Sequence, residues 1–384
     1  MILFAAALFA GLVVENVEPG AREVSIQAIA RIPNLTARQA DSLDALVEAI
    51  PREVEGYARR DILTVTGGDP VRCSAGPDYV RISFHVPPAN LREGLSLMEA
   101  LCRSSRLTVP AILPSAKATS WVAALRPYER TRNPRPSEVQ DLYHALFRPE
   151  NITLGVGGPV KEGEAEENWS GRMDKWITPR LPEPSKYEAL PKPLAKNPGG
   201  VSTIELTGPT FGAGDAAIST RILALIALGS GKGASLFRVA RRQLGMSYRQ
   251  EALLYPVPDG WQSRILLETS ATDGLDKQAE ALRAALVEDV KGWTDADLKR
   301  ARGMAEAVFL RGVDFSPFAF GPAGTFDDTL EGRTFLRTYW RLKTGEPWDA
   351  KALVKTMQVV TLDDLREIAL GVLTEGKTRV LPAG

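Results

Sequence analysis

A stretch rich in proline and charge, TPRLPEPSKYEALPKPLAKNPGG at Thr178–Gly200, divides the 384-residue chain into halves that repeat one order of elements. Apolar periodicity reads the first half as strands at Leu12–Val17 and Glu23–Ile32, a helix at Thr36–Ile50, a strand at Tyr79–Val86 and a helix at Asn90–Arg103. The second half follows suit, with a strand at Val201–Thr207, a helix at Asp215–Leu228, a strand at Trp261–Ala271 and a helix at Leu275–Val290. The ends match too. A helix opening at Ser137–Leu142 leads to a strand at Asn151–Val156, and one opening at Thr361–Leu365 leads to a strand at Lys377–Leu381. Ser137 and Thr361 stand where an N-cap is wanted, with acidic residues in the following turn. Two copies of one αβ unit predict an α+β fold with domains at 1–177 and 201–384 and a linker at 178–200. Each domain is expected to be a mostly antiparallel sheet covered by helices.

Composition removes several functions. Lysine plus arginine equals aspartate plus glutamate at 47 each, so nothing electrostatic points to nucleic acid. No apolar run approaches the roughly 18 residues that span a bilayer. Cys73 and Cys102 cannot build a disulfide framework and read as free, partly buried thiols. Ile2–Ala10 is apolar and ends in small residues, like a secretory signal, yet no lysine or arginine precedes it. It is either an export signal, making the protein periplasmic or secreted, or a first strand of a cytoplasmic chain.

The run GSGKGASLFRVARRQLGMSY at Gly229–Tyr248 is the densest in candidate chemistry. Leu236, Phe237, Ala240 and Leu244 recur at helical spacing, so Ser235–Leu244 reads as an amphipathic helix. Gly245 falls where a helix end wants a left-handed residue, and Met246–Tyr255 reads as the next strand. Arg241 and Tyr248 then lie near the helix end and the strand start, where both could donate hydrogen bonds to the carbonyls of an extended peptide. The residues alone allow a plainer account, in which Arg241 offsets the helix dipole and Tyr248 is a sheet residue. Gly231-Lys232 is not a phosphate-binding loop, because Ile226 and Gly233 stand where that motif needs glycine and a hydroxyl residue.

A duplicated αβ unit with a linker, plus GxxxSLFxxxRxxxGxxY in its second copy, resembles the pitrilysin/insulinase family of zinc metallopeptidases. Leu12–Asn16 with Pro19-Gly20, Phe147–Asn151 and Thr294–Met304 are similar to family segments in the same order. The resemblance implies two halves facing each other across a cavity. It implies that Arg241 and Tyr248 bind substrate backbone, and that Gly231 and Gly233 end a glycine-rich substrate loop; a tight helix-to-helix turn is the other account of those glycines.

The family's chemistry needs H-x-x-E-H on the first helix, two imidazoles for zinc and a glutamate for the attacking water. Here Asp41-Ser42-Leu43-Asp44-Ala45 occupies that place, and the later region Ala116–Ala124 carries no acidic residue. The chain has two histidines, His85 and His144, neither with a ligand-spaced neighbour. His85 should point away from the apolar face of its strand, and His144 should sit beside an apolar helix face. Cys73, Cys102 and His85 make the one remaining combination for a metal. The resemblance therefore implies no catalytic residue, metal or cofactor in this chain. Zinc would lie in a homologous H-x-x-E-H partner, and this chain would be the non-catalytic, substrate-binding subunit of a two-subunit peptidase acting on peptides. The alternatives are a structural subunit, like the core proteins of the respiratory cytochrome complex, or a stand-alone peptide binder that pairs with itself. Phe315, Phe318, Phe320 and Phe326 should cover a core or line the peptide cavity.

Overall fold

The computed structural model describes residues 12–107, 128, 133–173, 176, 189–197, 199–247, 249–311 and 329–384. The first half runs β1 (Val13–Val17), β2 (Val24–Arg31), α1 (Ala37–Ala49), α2 (Arg59–Val65), β3 (Arg72–Ala75), β4 (Tyr79–Val86), α3 (Leu91–Arg103), α4 (Pro136–Leu146), β5 (Ile152–Gly158) and α5 (Glu164–Met173). The second runs β6 (Ser202–Gly212), α6 (Ile218–Gly229), a π-helical segment (Phe237–Gln243), β7 (Arg249–Val257), β8 (Gly260–Thr269), α7 (Leu275–Lys291) and α8 (Asp295–Arg311). It ends with α9 (Leu330–Thr344), α10 (Ala350–Met357), α11 (Leu362–Thr374) and β9 (Lys377–Leu381). No described helix is long and apolar enough to cross a membrane. The apolar run within Met1–Ala10 and the four phenylalanines at 315, 318, 320 and 326 lie outside the described residues.

Two compact units form, each around one sheet. The first sheet has the order β1-β5-β2-β4-β3 and the second β7-β8-β6-β9. The orders β5-β2-β4-β3 and β9-β6-β8-β7 are one topology used twice, antiparallel at every pair. This is the α+β duplication that the repeated element order predicts. The first sheet adds β1, parallel to β5. The second keeps a one-residue counterpart, a parallel bridge from Asn197 to Ala383 just past β9.

In the first unit β2 is buried from Val24 to Ala30, so both of its faces need cover. One face carries Ile26 and Ala28, with Ile82, Phe84, Leu154 and Val156 beside them, and packs on Leu95 and Met98 of α3. Gly94 lets α3 come close: a Cβ there would lie 2.6 Å from Ile26 Cδ1. The other face carries Ser25, Gln27, Arg81, Ser83 and His85, and it is covered by α9.

That placement corrects the division of the chain at 178–200, which assigns α9 to the domain at 201–384. Instead α9 packs on β1, β2 and β5 and belongs to the first unit. The reason is physical. The polar sheet face needs hydrogen-bonding cover, and α9 supplies it at both ends. Near its start Gln27 Nε2 donates to Glu331 O at 2.7 Å, Arg81 pairs with Glu331, and Ser83 Oγ donates to Glu331 at 2.9 Å. Near its end Tyr339 and Lys343 hold Asp78 at 2.6 and 2.7 Å, with both charged partners buried. Gly155 and Gly157 of β5 leave room for the helix, since a Cβ at either would run into Thr338 or Thr334.

Helix ends follow the sequence in one case and depart from it in the other. Thr361 caps α11, accepting from Asp364 N at 3.1 Å. Ser137 does not cap α4, which starts earlier with Pro136 in its first turn, where a fixed φ and a missing N–H cost nothing. A cap that the sequence hides belongs to α5. The Glu15 carboxylate on β1 accepts from Gly163 N at 2.6 Å and Ala165 N at 2.8 Å. Glu15→Ala should cost about 1–2 kcal/mol of stability, and Glu15→Gln less because an amide oxygen still accepts. Urea unfolding followed by circular dichroism measures this; an alanine variant as stable as the parent would show that the cap contributes nothing.

Candidate functional site

Helix α1 occupies the place where the resemblance would put a metal. Thr36 caps it, accepting from Gln39 N at 3.3 Å while the Gln39 side chain accepts from Thr36 N at 3.0 Å. Asp41 and Ser42 are buried, Ala45 is buried, and Asp44 is half-buried. A metal face needs two imidazoles one turn apart. Asp41 and Ala45 put a carboxylate and a methyl there.

His85 points away from Ile82 and Phe84, as its alternation predicts, but that face lies under α9 rather than open. Its Nδ1 lies 3.0 Å from Asp69 Oδ2, and its backbone N–H donates to the same oxygen at 2.9 Å. Asp69 also takes both Arg72 nitrogens, at 2.7 and 3.0 Å. Burial pushes the Asp69 carboxyl up, and the bonds from Arg72 and His85 outweigh it, holding it below its usual range. The carboxylates nearest His85 are thus already engaged by arginines. Cys73 packs on the core and faces Ile82 in register, so it lies across the sheet from His85. Cys102 is buried in α3, where burial pushes its thiol well up. The structure does not bring Cys73, Cys102 and His85 together. His144, on α4, lies 2.7 Å from the Gln140 side chain, and burial lowers its pKa. Among the described residues no three His, Cys, Asp or Glu side chains form a metal-ligand group.

In the second unit the glycine loop follows α6. Gly231 is left-handed at φ +79°, and a Cβ at Gly233 would lie 2.8 Å from Arg300 Cδ. Arg300 donates to Ala227 O at 2.8 Å and Ser230 O at 3.1 Å, closing the last carbonyls of α6. Arg238 donates to Gly233 O and pairs with Asp289 at 2.7 Å and Asp297 at 3.0 Å, tying the loop to α7 and α8. Gly231 and Gly233 therefore have local structural reasons in a helix-to-helix turn.

Next, the sequence predicts an α-helix at Ser235–Leu244 and the structure has a π-helical segment. Leu244 N donates to Val239 O at 2.9 Å, five residues back. The wider winding changes the buried stripe to Leu236, Val239 and Ala240, leaving Phe237 and Leu244 half-exposed. Gly245 is left-handed at φ +62°, as expected. Arg241 and Arg242 are both exposed, their guanidinium carbons 5.2 and 5.1 Å from the Phe237 ring centroid. Strand β7 starts at Arg249 rather than Met246, and Tyr248 lies outside the described residues.

On β7 the Glu251 carboxyl is pushed up from 4.5 to about 7, first by burial, with Arg249 opposing and Glu268 adding. A raised carboxyl keeps its proton in the folded chain where the unfolded chain has lost it. Stability therefore falls as pH rises from the unfolded to the folded value, and the loss is complete above about 7. Glu251→Gln should match the parent at pH 4 and exceed it by about 1–2 kcal/mol at pH 8, a figure reduced for partial exposure. Denaturant titrations at both pH values test this; a gap that is equal at both would contradict it.

Arg238, Arg242 and Arg300 are absent from the residues that motif and spacing single out. For Arg238 and Arg242 the signal is in the composition: between Asp215 and Glu251 the chain has six basic residues and no acidic one, a stretch that does not reach Arg300.

No family model matches the chain, and no curated protein matches it in sequence. Solved structures do match. A peptidase M16 inactive domain from Pseudomonas fluorescens superimposes with a TM-score of 0.70 at 14% identity, covering 98% of this chain and 96% of that one. A protease from Helicobacter pylori gives 0.69 at 14% identity, covering 97% of each chain. A chain of complex III2 from Candida albicans gives 0.65 at 9% identity, covering 97% of this chain and 93% of that one. At these identities the likeness is one of fold, and that fold is M16-like and includes inactive domains.

Proposed function

We propose that this chain is the non-catalytic, substrate-binding subunit of a two-subunit zinc metallopeptidase. The observation behind this reading is an M16-like fold along the whole chain with no histidine on α1; its two histidines lie on β4 and α4. A homologous H-x-x-E-H chain would hold the zinc and the general base. This chain would contribute Arg241 and Tyr248, which donate to the carbonyls of an extended peptide and hold it in register with the partner's metal. The Gly231–Gly233 turn would stand beside that peptide. On this account the purified chain binds no stoichiometric zinc. Elemental analysis after dialysis tests that, and about one tightly held zinc per chain would overturn the reading.

The similarity to a chain of complex III2 favours a second reading, a structural subunit without peptidase activity. Under it, substitution of Arg241 would leave every activity of the assembly unchanged.

A further inference from the structure

The π-helical winding of Phe237–Gln243 has a chemical consequence. In an α-helix the residue four positions on lies beside residue i, and the residue five on points well away. Hydrogen bonds that reach five residues along bring both to either side of residue i. Arg241 and Arg242 accordingly flank one ring, Phe237, at 5.2 and 5.1 Å. Two like charges share a single aromatic face-and-edge system on an exposed turn.

Among the described residues the surrounding charge does not balance Arg242. Between Asp215 and Glu251 the basic residues are Arg221, Lys232, Arg238, Arg241, Arg242 and Arg249. Arg221 pairs with Asp215 at 3.3 Å, Arg238 with Asp289 and Asp297, and Arg249 lies 3.7 Å from Glu268. Among the described residues the contact of the Arg242 guanidinium is the Phe237 ring, and no carboxylate lies within ion-pair distance of it. A guanidinium resting on a ring keeps its N–H fork available, and that fork matches a carboxylate bidentately. A carboxylate beside Phe237 would also offset the repulsion between the two arginines.

We propose that Arg242, with Arg241 and Phe237, forms a carboxylate clamp that selects peptides bearing an acidic group next to the segment gripped by Arg241. The proposal rests on the peptide-binding reading above and names a specificity residue for it. The carboxylate belongs to an acidic side chain or to a peptide C-terminus, and one set of probes separates the two.

The purified chain is titrated with short acetylated, amidated Ala/Ser peptides carrying a central Glu or Gln, and with the Gln peptide bearing a free C-terminus. The Glu peptide should bind about tenfold tighter than the Gln peptide, and Arg242→Gln should erase that margin, whereas Arg241→Gln weakens both. A gain by the free-terminus peptide instead assigns the clamp to a chain end. Equal binding of all three peptides overturns the clamp and leaves the peptide reading intact. In parallel, N-acetylglutamate amide is titrated while the arginine Nε–Hε resonances are followed. If no peptide binds but the Arg241 and Arg242 signals shift, the clamp stands and the peptide reading falls. If neither signal moves, the clamp is overturned.

Discussion

Arg241→Ala should lower kcat/KM of the assembled peptidase about ten- to hundredfold, the worth of a charge-assisted hydrogen bond of about 1.5–3 kcal/mol. Fold and partner association should survive. Arg241 is exposed on the π-helical segment, while the buried side of that segment is made by Leu236, Val239 and Ala240. The segment is held in place by other residues: Arg238 binds Asp289 and Asp297, and Ser235 accepts from the Trp293 indole at 2.9 Å. Tyr248→Phe removes one hydroxyl and should cost less. Because both side chains grip one peptide segment, the double variant should lose less than the sum. Unchanged cleavage by both single variants in an intact complex would show that the two are structural, and would put the core-protein-like reading ahead.

Gly157→Ala should destabilise the first unit by about 1–3 kcal/mol, the usual range for forcing extra volume into a close-packed layer. A Cβ there would run into the Thr334 hydroxyl and lie 3.3 Å from Leu330 Cδ1, both on α9, and a β-branched threonine has few rotamers in a helix with which to give way. Thr334 Oγ1 donates only along its own helix, to Leu330 O at 2.7 Å, so Thr334→Ala alone should be mild. The double variant Gly157→Ala/Thr334→Ala should recover much of the loss, a coupling that denaturant unfolding of the four proteins reads directly. Strictly additive effects would show that α9 does not rest on β5 as described.

The repeated halves were legible because each copy has an apolar sheet face packed on helices, and that packing writes period-two strands and period-3.6 helices into the sequence. Tyr79–Val86 and Lys377–Leu381 match their strands to the residue. The ownership of α9 was not legible. Its amphipathic pattern says that one face is covered and nothing about which sheet covers it, and a proline-rich linker marks a boundary only along the chain. The π-helical segment escaped for a related reason: Leu236, Phe237, Ala240 and Leu244 fit a 3.6-residue period well enough to hide one extra residue per turn. Of the candidate site, Arg241, Tyr248, Gly231 and Gly233 are singled out by motif. Their supports, Arg238 and Arg300, carry no motif because their partners Asp289, Asp297 and the α6 carbonyls are distant in sequence.

Reconstitution shows whether cleavage needs both chains. This chain, a homologous H-x-x-E-H chain, and an equimolar mixture of the two are each assayed for peptide cleavage, with zinc measured in every sample. Neither chain alone should cleave, the mixture should, and zinc should be found in the H-x-x-E-H chain only. Cleavage by this chain alone, or a partner whose activity is the same with and without it, would contradict the account.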